Sequence, residues 1–431
     1  MPYLHVEIVQ KPISSASKHL IIESVRTFMS RYVSLSPGAT IKASSLEENL
    51  DLKEHVECIK LCDIDYNTEI RATNVQFKYH VVKLNGVGSE IDTMTDTSTG
   101  EEFSVAQMWA LPARDFHGLW ESLVYDSNLK EDTVRFVETA FEFADHGVDP
   151  NIVAWNRVVL LHGPPGTGKT SFCRALAQKL AVRFDDRFPR ARLIEINAHG
   201  LFSKWFAESG KLVARLFEHI TEIVEDRQLL LCVLIDEVES LAHARRSALA
   251  GVEPSDSIRA VNALLTQLDR LRFYPNTLVL TTSNVTGAID LAFIDRADIK
   301  QHIGLPSDRA AYEILRSCCE ELKDRGLLLA GGALFALPLL ESWSFAKSAS
   351  SHDSLKLWEV AQKAAAGGAS GRALRRLPLR AMARLAHRPP TLLEFVNAMQ
   401  SALDASLVDA ADMDKDPMVR TEAGQSIPNG H

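Results

Sequence analysis

Gly163-Pro164-Pro165-Gly166-Thr167-Gly168-Lys169-Thr170 is the segment whose chemistry is plainest. Its glycines let consecutive backbone N–H groups converge, and the lysine and hydroxyl that follow add a cation and an oxygen ligand. The spacing GxxxxGK[ST] cradles the phosphates of a nucleoside triphosphate when it joins a strand to a helix. Here the apolar run Val158-Val159-Leu160-Leu161 precedes it, and helical spacing begins at Lys169 and continues past Ser171 to Val182. The helix N-terminus adds partial positive charge. Lys169 is expected to bridge the β- and γ-phosphates of ATP, and Thr170 to hold Mg2+. His162, beside the loop, reads as a packing residue.

A second apolar run, Leu231 to Ile235, is closed by Asp236 and Glu237. In this context Asp236 would hold Mg2+ through water and Glu237 would polarise the attacking water. A third run, Leu278 to Ser283, ends at Asn284, whose amide can place that water or cap a turn. Arg296 lies twelve residues further on. It either reaches a neighbouring subunit's nucleotide or pairs with Asp295 or Asp298. Arg372 follows Gly371 at the start of a helical segment, where it suits a γ-phosphate contact from a C-terminal lid. From Arg372 to Arg388 there are six arginines and no acid, so a nucleic-acid patch and a solvated helix face are the rival readings. Lys204, Trp205 and Phe206 follow the strand pattern Leu193 to Ile196. Adjacent aromatics there either face the channel of a ring or pack into the core. Phe116-His117-Gly118-Leu119-Trp120 either flanks the adenine or links two domains.

These residues need a scaffold. Runs buried on both faces imply parallel strands. Helical spacing separates them over 169–182, 208–225 and 257–271. Strand and helix in alternation give an α/β fold with helices on both faces of a parallel sheet. Before it, alternating runs at Tyr3–Val9 and Val75–Val82 and a helical pattern over 16–33 predict an α+β N-terminal domain. Residues 86–100, polar and rich in Gly, Ser, Thr and Asp, read as a loop or linker. After Pro306 the pattern is helical only. The expected division is 1–110 for the N-terminal domain, 111–306 for the large α/β domain, 307–407 for a helical lid and 408–431 for a disordered tail.

The chain has 431 residues and a formal net charge of −9, so no global attraction draws it to nucleic acid or to an anionic membrane. The longest uncharged apolar stretch, 326–340, is too short to span a bilayer and holds Gly331, Gly332 and Pro338. No signal peptide pattern opens the sequence. The cysteines, Cys58, Cys62, Cys173, Cys232, Cys318 and Cys319, lack zinc spacing and suit a reducing compartment.

Taken together, the motifs resemble the AAA+ ATPases, and more narrowly the pachytene checkpoint protein 2 family. The resemblance runs through Phe116–Trp120, Trp155–Ser171, the segment LIEINAHGLFSKWFAESGKLV, Val233–Leu241, EPSDSIRAVNALLTQLD, TTSNVTGAIDLAFIDRADIKQHIG and Ser370–Pro378, most of residues 111–405. It implies a hexameric ATPase using ATP and Mg2+. Within it Lys169 and Thr170 are the Walker A pair, Asp236 and Glu237 the Walker B pair, and Asn284 sensor 1. Arg296 is the arginine finger acting in trans, Arg372 is sensor 2, and Lys204, Trp205 and Phe206 form the pore loop. Gly118 joins Gly163 to Ser171 in binding ATP. The implied partners are HORMA-domain proteins, presented by a HORMA-like adaptor and converted from a closed to an open conformer. That work belongs to spindle-checkpoint silencing and to control of the meiotic chromosome axis and recombination, in nucleus and cytoplasm. Neither membrane nor direct nucleic-acid binding is expected. The alternative is a nucleic-acid-stimulated motor or clamp-loader-type ATPase.

Overall fold

The computed structural model describes residues 3–32, 34–35, 40–42, 49–62, 70–95, 102–149, 151–198, 209–240, 256–284, 289–329, 331–348, 350–387 and 389–413. The chain divides into two compact units. The first holds 1–121, 128–163 and 169–303, and the second 122–127, 164–168 and the residues from 304 onward.

The first unit begins with β1 (Tyr3–Gln10), α1 (Lys18–Met29), β2 (Ser34–Leu35), β3 (Thr40–Lys42), α2 (Leu50–His55), β4 (Val56–Cys62), β5 (Ile70–Arg71) and β6 (Gln76–Lys83). Four strands form one sheet in the order β3-β4-β1-β6, and β2 pairs with β5 in a separate ribbon. β1 runs antiparallel to β4 and parallel to β6. Strand alternation then gives the sheet two chemically different faces. Leu4, Val6, Ile8, Ile59, Leu61 and Val81 cluster with Ile21, Val25, Phe28 and Leu52 from the helices, which is the N-terminal core. Ser17 caps α1 by accepting the Leu20 N–H. The residues between point to the opposite face, where Glu7 pairs in register with Lys60 and His80 and His5 lies two positions before it.

The second sheet follows. Its elements are β7 (Glu90–Thr95), β8 (Glu102–Leu111), α3 (Leu119–Ser122), α4 (Leu129–Asp145), β9 (Val158–His162), α5 (Lys169–Arg183), β10 (Arg190–Asn197), α6 (Ser209–Val224), β11 (Leu229–Asp236), α7 (Asp256–Leu271), β12 (Thr277–Ser283), α8 (Leu291–Arg296) and β13 (Ile299–His302). The order is β13-β9-β12-β11-β10-β8-β7. From β13 to β10 every pairing is parallel, and β8 and β7 add antiparallel at the β10 edge. This corrects two expectations. Residues 86–100 are not simply a loop or linker, because β7 lies among them. An N-terminal domain reaching residue 110 would take in β7 and most of β8, which hydrogen-bond to the large sheet. The polar, glycine-rich sequence around β7 hid that strand, since an edge strand needs little apolar surface to form its ladder.

α5 shows how the two sheets share one unit. It is buried along almost its whole length, charged residues included. Lys179 on α5 pairs with Glu7 on β1 at 2.6 Å, with the two side chains only 2% and 9% exposed. Arg183 adds its Nε 3.8 Å from the same carboxylate and bonds Glu138 at 3.1 Å. Lys60 pairs with Glu121 at 3.0 Å nearby. Burial alone would raise the Glu7 carboxyl, but Lys179, Arg183 and Lys60 outweigh it and hold it below its ordinary value. Lys179 is raised for the complementary reason, burial being outweighed by Glu7. Both groups are therefore held in their charged forms.

The second unit contains α9 (Asp308–Asp324), α10 (Leu337–Ser342), α11 (His352–Ala366), α12 (Gly371–Met382) and α13 (Leu392–Met413). They close on a core that includes Tyr312, Leu315, Leu357, Val360, Phe395 and Met399. The Tyr312 hydroxyl donates to the Phe335 carbonyl at 2.7 Å, so its buried polar atom is satisfied. A tail beginning at 408 is corrected in part: α13 continues to Met413, and residues 414–431 lie outside the described ones. Among the described residues no helix is long and apolar enough to cross a membrane.

The Glu7–Lys179 pair generates a prediction. Lys179→Met strands a buried carboxylate and should destabilise the first unit by about 3–5 kcal/mol, whereas Glu7→Leu with Lys179→Met should recover most of that loss. Urea unfolding followed by tryptophan fluorescence reads the difference. A double variant as unstable as the single one would contradict the analysis.

Candidate active site

In open α/β sheets, ligands sit beyond the carboxyl ends of the strands. Here β9, β12 and β11 are adjacent and parallel, so their carboxyl ends lie side by side. His162 at the end of β9 pairs in register with Ser283 at the end of β12. The Gly163 N–H continues that ladder to the Ser283 carbonyl at 3.2 Å. The phosphate-binding loop thus starts from a fixed point.

Gly163 has φ of +144°, Gly166 +78° and Gly168 +94°, all in the region that favours glycine. At Gly163 a Cβ would lie 2.1 Å from the Ile303 carbonyl oxygen, so that position excludes every side chain. Lys169 opens α5, is buried, and donates from Nζ to the Gly163 carbonyl at 2.8 Å. Thr167 donates its hydroxyl to the Pro164 carbonyl at 3.0 Å. Within the second unit, the Gly166 carbonyl accepts the Arg372 backbone N–H at 3.0 Å, and Tyr125 donates to the Gly168 carbonyl at 3.2 Å. Ser370 caps α12 just before Arg372, which is itself exposed.

The acids follow the same logic. Asp236 is the last residue of β11, and Thr170 donates to its two carboxylate oxygens at 2.9 and 3.2 Å. That commits the Thr170 proton to Asp236 and leaves its oxygen lone pairs for a cation. Two hard oxygen ligands on adjacent elements fit Mg2+, which prefers carboxylate and hydroxyl oxygen. Glu237 has φ of +61°, in the left-handed region, at a cost of order 1–3 kcal/mol for a non-glycine residue. Its N–H donates to the Thr282 hydroxyl at 3.3 Å, and the Val238 N–H donates to the Thr282 carbonyl at 2.9 Å. Asn284 follows β12 directly, and Glu239 accepts its backbone N–H at 3.1 Å. Lys169, Thr170, Asp236, Glu237 and Asn284 are therefore gathered beyond the carboxyl ends of neighbouring strands of one sheet.

Arg296 ends α8, and its side-chain bonds run elsewhere. Its Nε and Nη2 each lie 2.8 Å from an oxygen of Asp269, and Nη1 donates to the Ala292 carbonyl at 2.6 Å. The bonds to Asp269 raise its pKa further, against the effect of burial. The expected partners, Asp295 or Asp298, are thus corrected to Asp269. Asp298 accepts the backbone N–H groups of Asn156 and Val158 at 3.0–3.1 Å, which anchors the start of β9. The sequence offered no sign of Asp269, which lies on α7.

Phe116–Trp120 is more than a linker. Phe116 is buried against Trp109, with ring centroids 5.4 Å apart, and Trp120 packs on Phe172 of α5 at 5.7 Å. Gly118 between them has φ of +75°. His162 packs against His302 at 5.3 Å. Lys204, Trp205 and Phe206 lie outside the described residues. Sequence reading passed over Thr282 and Glu239. The signal for Thr282 was a run of hydroxyls, Thr281-Thr282-Ser283, in an otherwise apolar buried strand, because buried hydroxyls require partners.

Known proteins bear out the architecture. The model for the ATPase family associated with various cellular activities matches residues 159–305. The model described as TRIP13-like, AAA+ ATPase lid C-terminal domain matches 307–407, and the TRIP13 N-terminal domain matches 1–86. The pachytene checkpoint protein 2 homolog of Danio rerio is 42% identical over 96% of this chain and 96% of its own. The homolog of Arabidopsis thaliana is 47% identical over 90% of this chain and 85% of its own. Among solved structures, PCH-2 of C. elegans aligns with a TM-score of 0.77 at 33% identity, over 95% of this chain and 100% of that one. The E. coli HORMA:CdnC:Trip13 complex aligns with a TM-score of 0.51 at 19% identity, over 68% of this chain and 94% of that one, which shows a shared fold. The sequence, the sheet order and these matches agree: the chain belongs to the pachytene checkpoint protein 2 family of AAA+ ATPases, enzymes that bind and hydrolyse ATP.

Proposed function

We propose that this ATPase is a homohexameric motor that remodels HORMA-domain proteins, converting a closed conformer to an open one. The observation that carries the reading is the meeting of Lys169, Thr170, Asp236, Glu237 and Asn284 at the ends of three parallel strands. The N-terminal and lid matches extend the likeness over nearly all of the chain. The E. coli neighbour, similar in fold, was solved together with a HORMA protein.

In this reading Gly163 to Ser171 hold the triphosphate, with Gly118 at the nucleotide base. Thr170 and Asp236 hold Mg2+, which when bound neutralises phosphate charge. Glu237 accepts the proton of the attacking water, and Asn284 orients that water. Arg296 meets the transition-state charge of a neighbouring subunit's nucleotide, a contribution worth ~10³–10⁵ in rate where such fingers operate. Its fork to Asp269 engages Nε and Nη2, so N–H groups on Nη1 and Nη2 remain for a phosphate. Arg372 is sensor 2, and Lys204, Trp205 and Phe206 grip the substrate. A HORMA-like adaptor presents that substrate. The work serves spindle-checkpoint silencing and control of the meiotic chromosome axis and recombination, in nucleus and cytoplasm.

Three outcomes are expected. Glu237→Gln should keep ATP bound, stabilise the hexamer, trap substrate and slow turnover by roughly 10²–10⁴-fold, the range for a lost general base; failure to bind ATP would contradict its role. Trp205→Ala should leave ATP turnover largely intact and abolish HORMA remodelling, so remodelling at the native rate would end the pore-loop assignment. The ATPase rate should rise with a closed HORMA protein plus adaptor and stay level with duplex DNA. Stimulation by DNA alone would favour a nucleic-acid motor and turn attention to the arginines of α12.

A further inference from the structure

Nothing in the known chemistry of the site calls on Thr282, yet this residue touches both of its acids. It is 1% exposed and sits on β12, one residue before the strand ends. The register of β12 sends its neighbour's hydroxyl the other way: Thr281 donates to the Val159 carbonyl of β9 at 3.0 Å. Thr282 faces β11. Its hydroxyl donates to Oδ1 of Asp236. The Thr282 hydroxyl oxygen accepts the Glu237 N–H at 3.3 Å, and the Thr282 carbonyl accepts the Val238 N–H at 2.9 Å. A threonine hydroxyl has one proton and two acceptor lone pairs. Here the proton goes to one acid and a lone pair to the backbone of the other.

The backbone of Glu237 makes this arrangement consequential. A non-glycine residue at φ +61° persists only where its surroundings over-determine it. The flanking N–H groups, those of Glu237 and Val238, both end on Thr282. On the far side, the Glu237 carbonyl accepts the Ser240 N–H at 3.2 Å. The direction of the Glu237 side chain follows from that turn.

We propose that Thr282 is the positioning residue for both acids: its hydroxyl orients the Asp236 carboxylate, and its hydroxyl oxygen and carbonyl together hold the left-handed turn that aims Glu237. The proposal rests on the reading of Asp236 and Glu237 as the hydrolytic acids. It gives Thr282 no contact with nucleotide or water. Its effect therefore falls on the rate of the chemical step, while ATP, held by the glycine loop and Lys169, keeps most of its affinity.

The test uses the full-length protein, with steady-state ATPase rates and the affinity for a fluorescent ATP analogue. Thr282→Val keeps the shape and removes the hydroxyl. Its kcat should fall about 10–100-fold, as misplaced catalytic groups cost, with nucleotide affinity within about threefold of native. Thr282→Ser keeps the hydroxyl and should recover most of the rate. Thr282→Cys and Thr282→Ala add no bulk, so they serve if the valine variant does not fold, and kcat should fall in the order Ser, Cys, Ala. A native kcat in Thr282→Val, or in Thr282→Ala where the valine variant does not fold, would overturn the proposal, as would equal impairment of Thr282→Ser, which would make the role one of packing. Glu237→Gln run in parallel separates the two levels. If it hydrolyses ATP at the native rate, the reading of the acids has failed; if it is inactive while the hydroxyl-free variants are native, only the role of Thr282 has failed.

Discussion

The level ending of β9, β12 and β11 is the constraint on which the site depends. The glycine loop, the Asp236–Glu237 pair and Asn284 come from segments separated by tens of residues, and only the shared level of the strand ends brings them together. The pairing of His162 with Ser283, continued by the Gly163 N–H, sets the height at which the loop begins. A slip of one residue would turn every side chain of a strand to the opposite face. Thr170 and Asp236 could then no longer meet. Apolar burial on both faces of β11 and β12, where every side chain up to Ile235 and Ser283 is buried, guards that register.

The second constraint is α5. A helix that begins at the phosphate loop and is buried along almost its whole length cannot shift without disturbing whatever packs on it. Part of what packs on it is the N-terminal sheet, through Glu7, which faces Lys179 and Arg183. Buried ion pairs are weak evidence for stability and better evidence for a specific fit. Here they fix how β1 lies against the helix that carries Lys169. The N-terminal sheet is accordingly built into the same compact unit as the large sheet.

Much of this was legible in the sequence because it is periodic or punctuated. Three of the parallel strands, β9, β11 and β12, were continuous apolar runs, and the glycines of the loop stood at a spacing with one chemical use. Asp236, Glu237 and Asn284 each followed such a run, so their place at its end was readable. What escaped had no local signature. β7 is polar, and only pairing with β8 makes it a strand. Asp269 lies on a different helix from Arg296, so nothing in the segment around the arginine announced it. Glu237 carries no sequence mark of a left-handed backbone, since its φ is imposed by Thr282, forty-five residues away. Long-range hydrogen bonds of this kind are properties of the folded sheet alone.

The attachment of β8 to β10 has a practical side. Along Ala106–Leu111, β8 covers one edge of the parallel sheet, and β7 covers β8 in turn. A catalytic fragment cut at a boundary suggested by composition, near residue 110, would strip both strands away. The freed edge of β10 would present a row of unpaired N–H and C=O groups beside buried Leu193, Ile194 and Ile196. Such an edge recruits other chains. A fragment meant to isolate the motor would therefore stick to its own copies, and an apparent oligomer in that preparation would report a wound in the sheet instead of a ring.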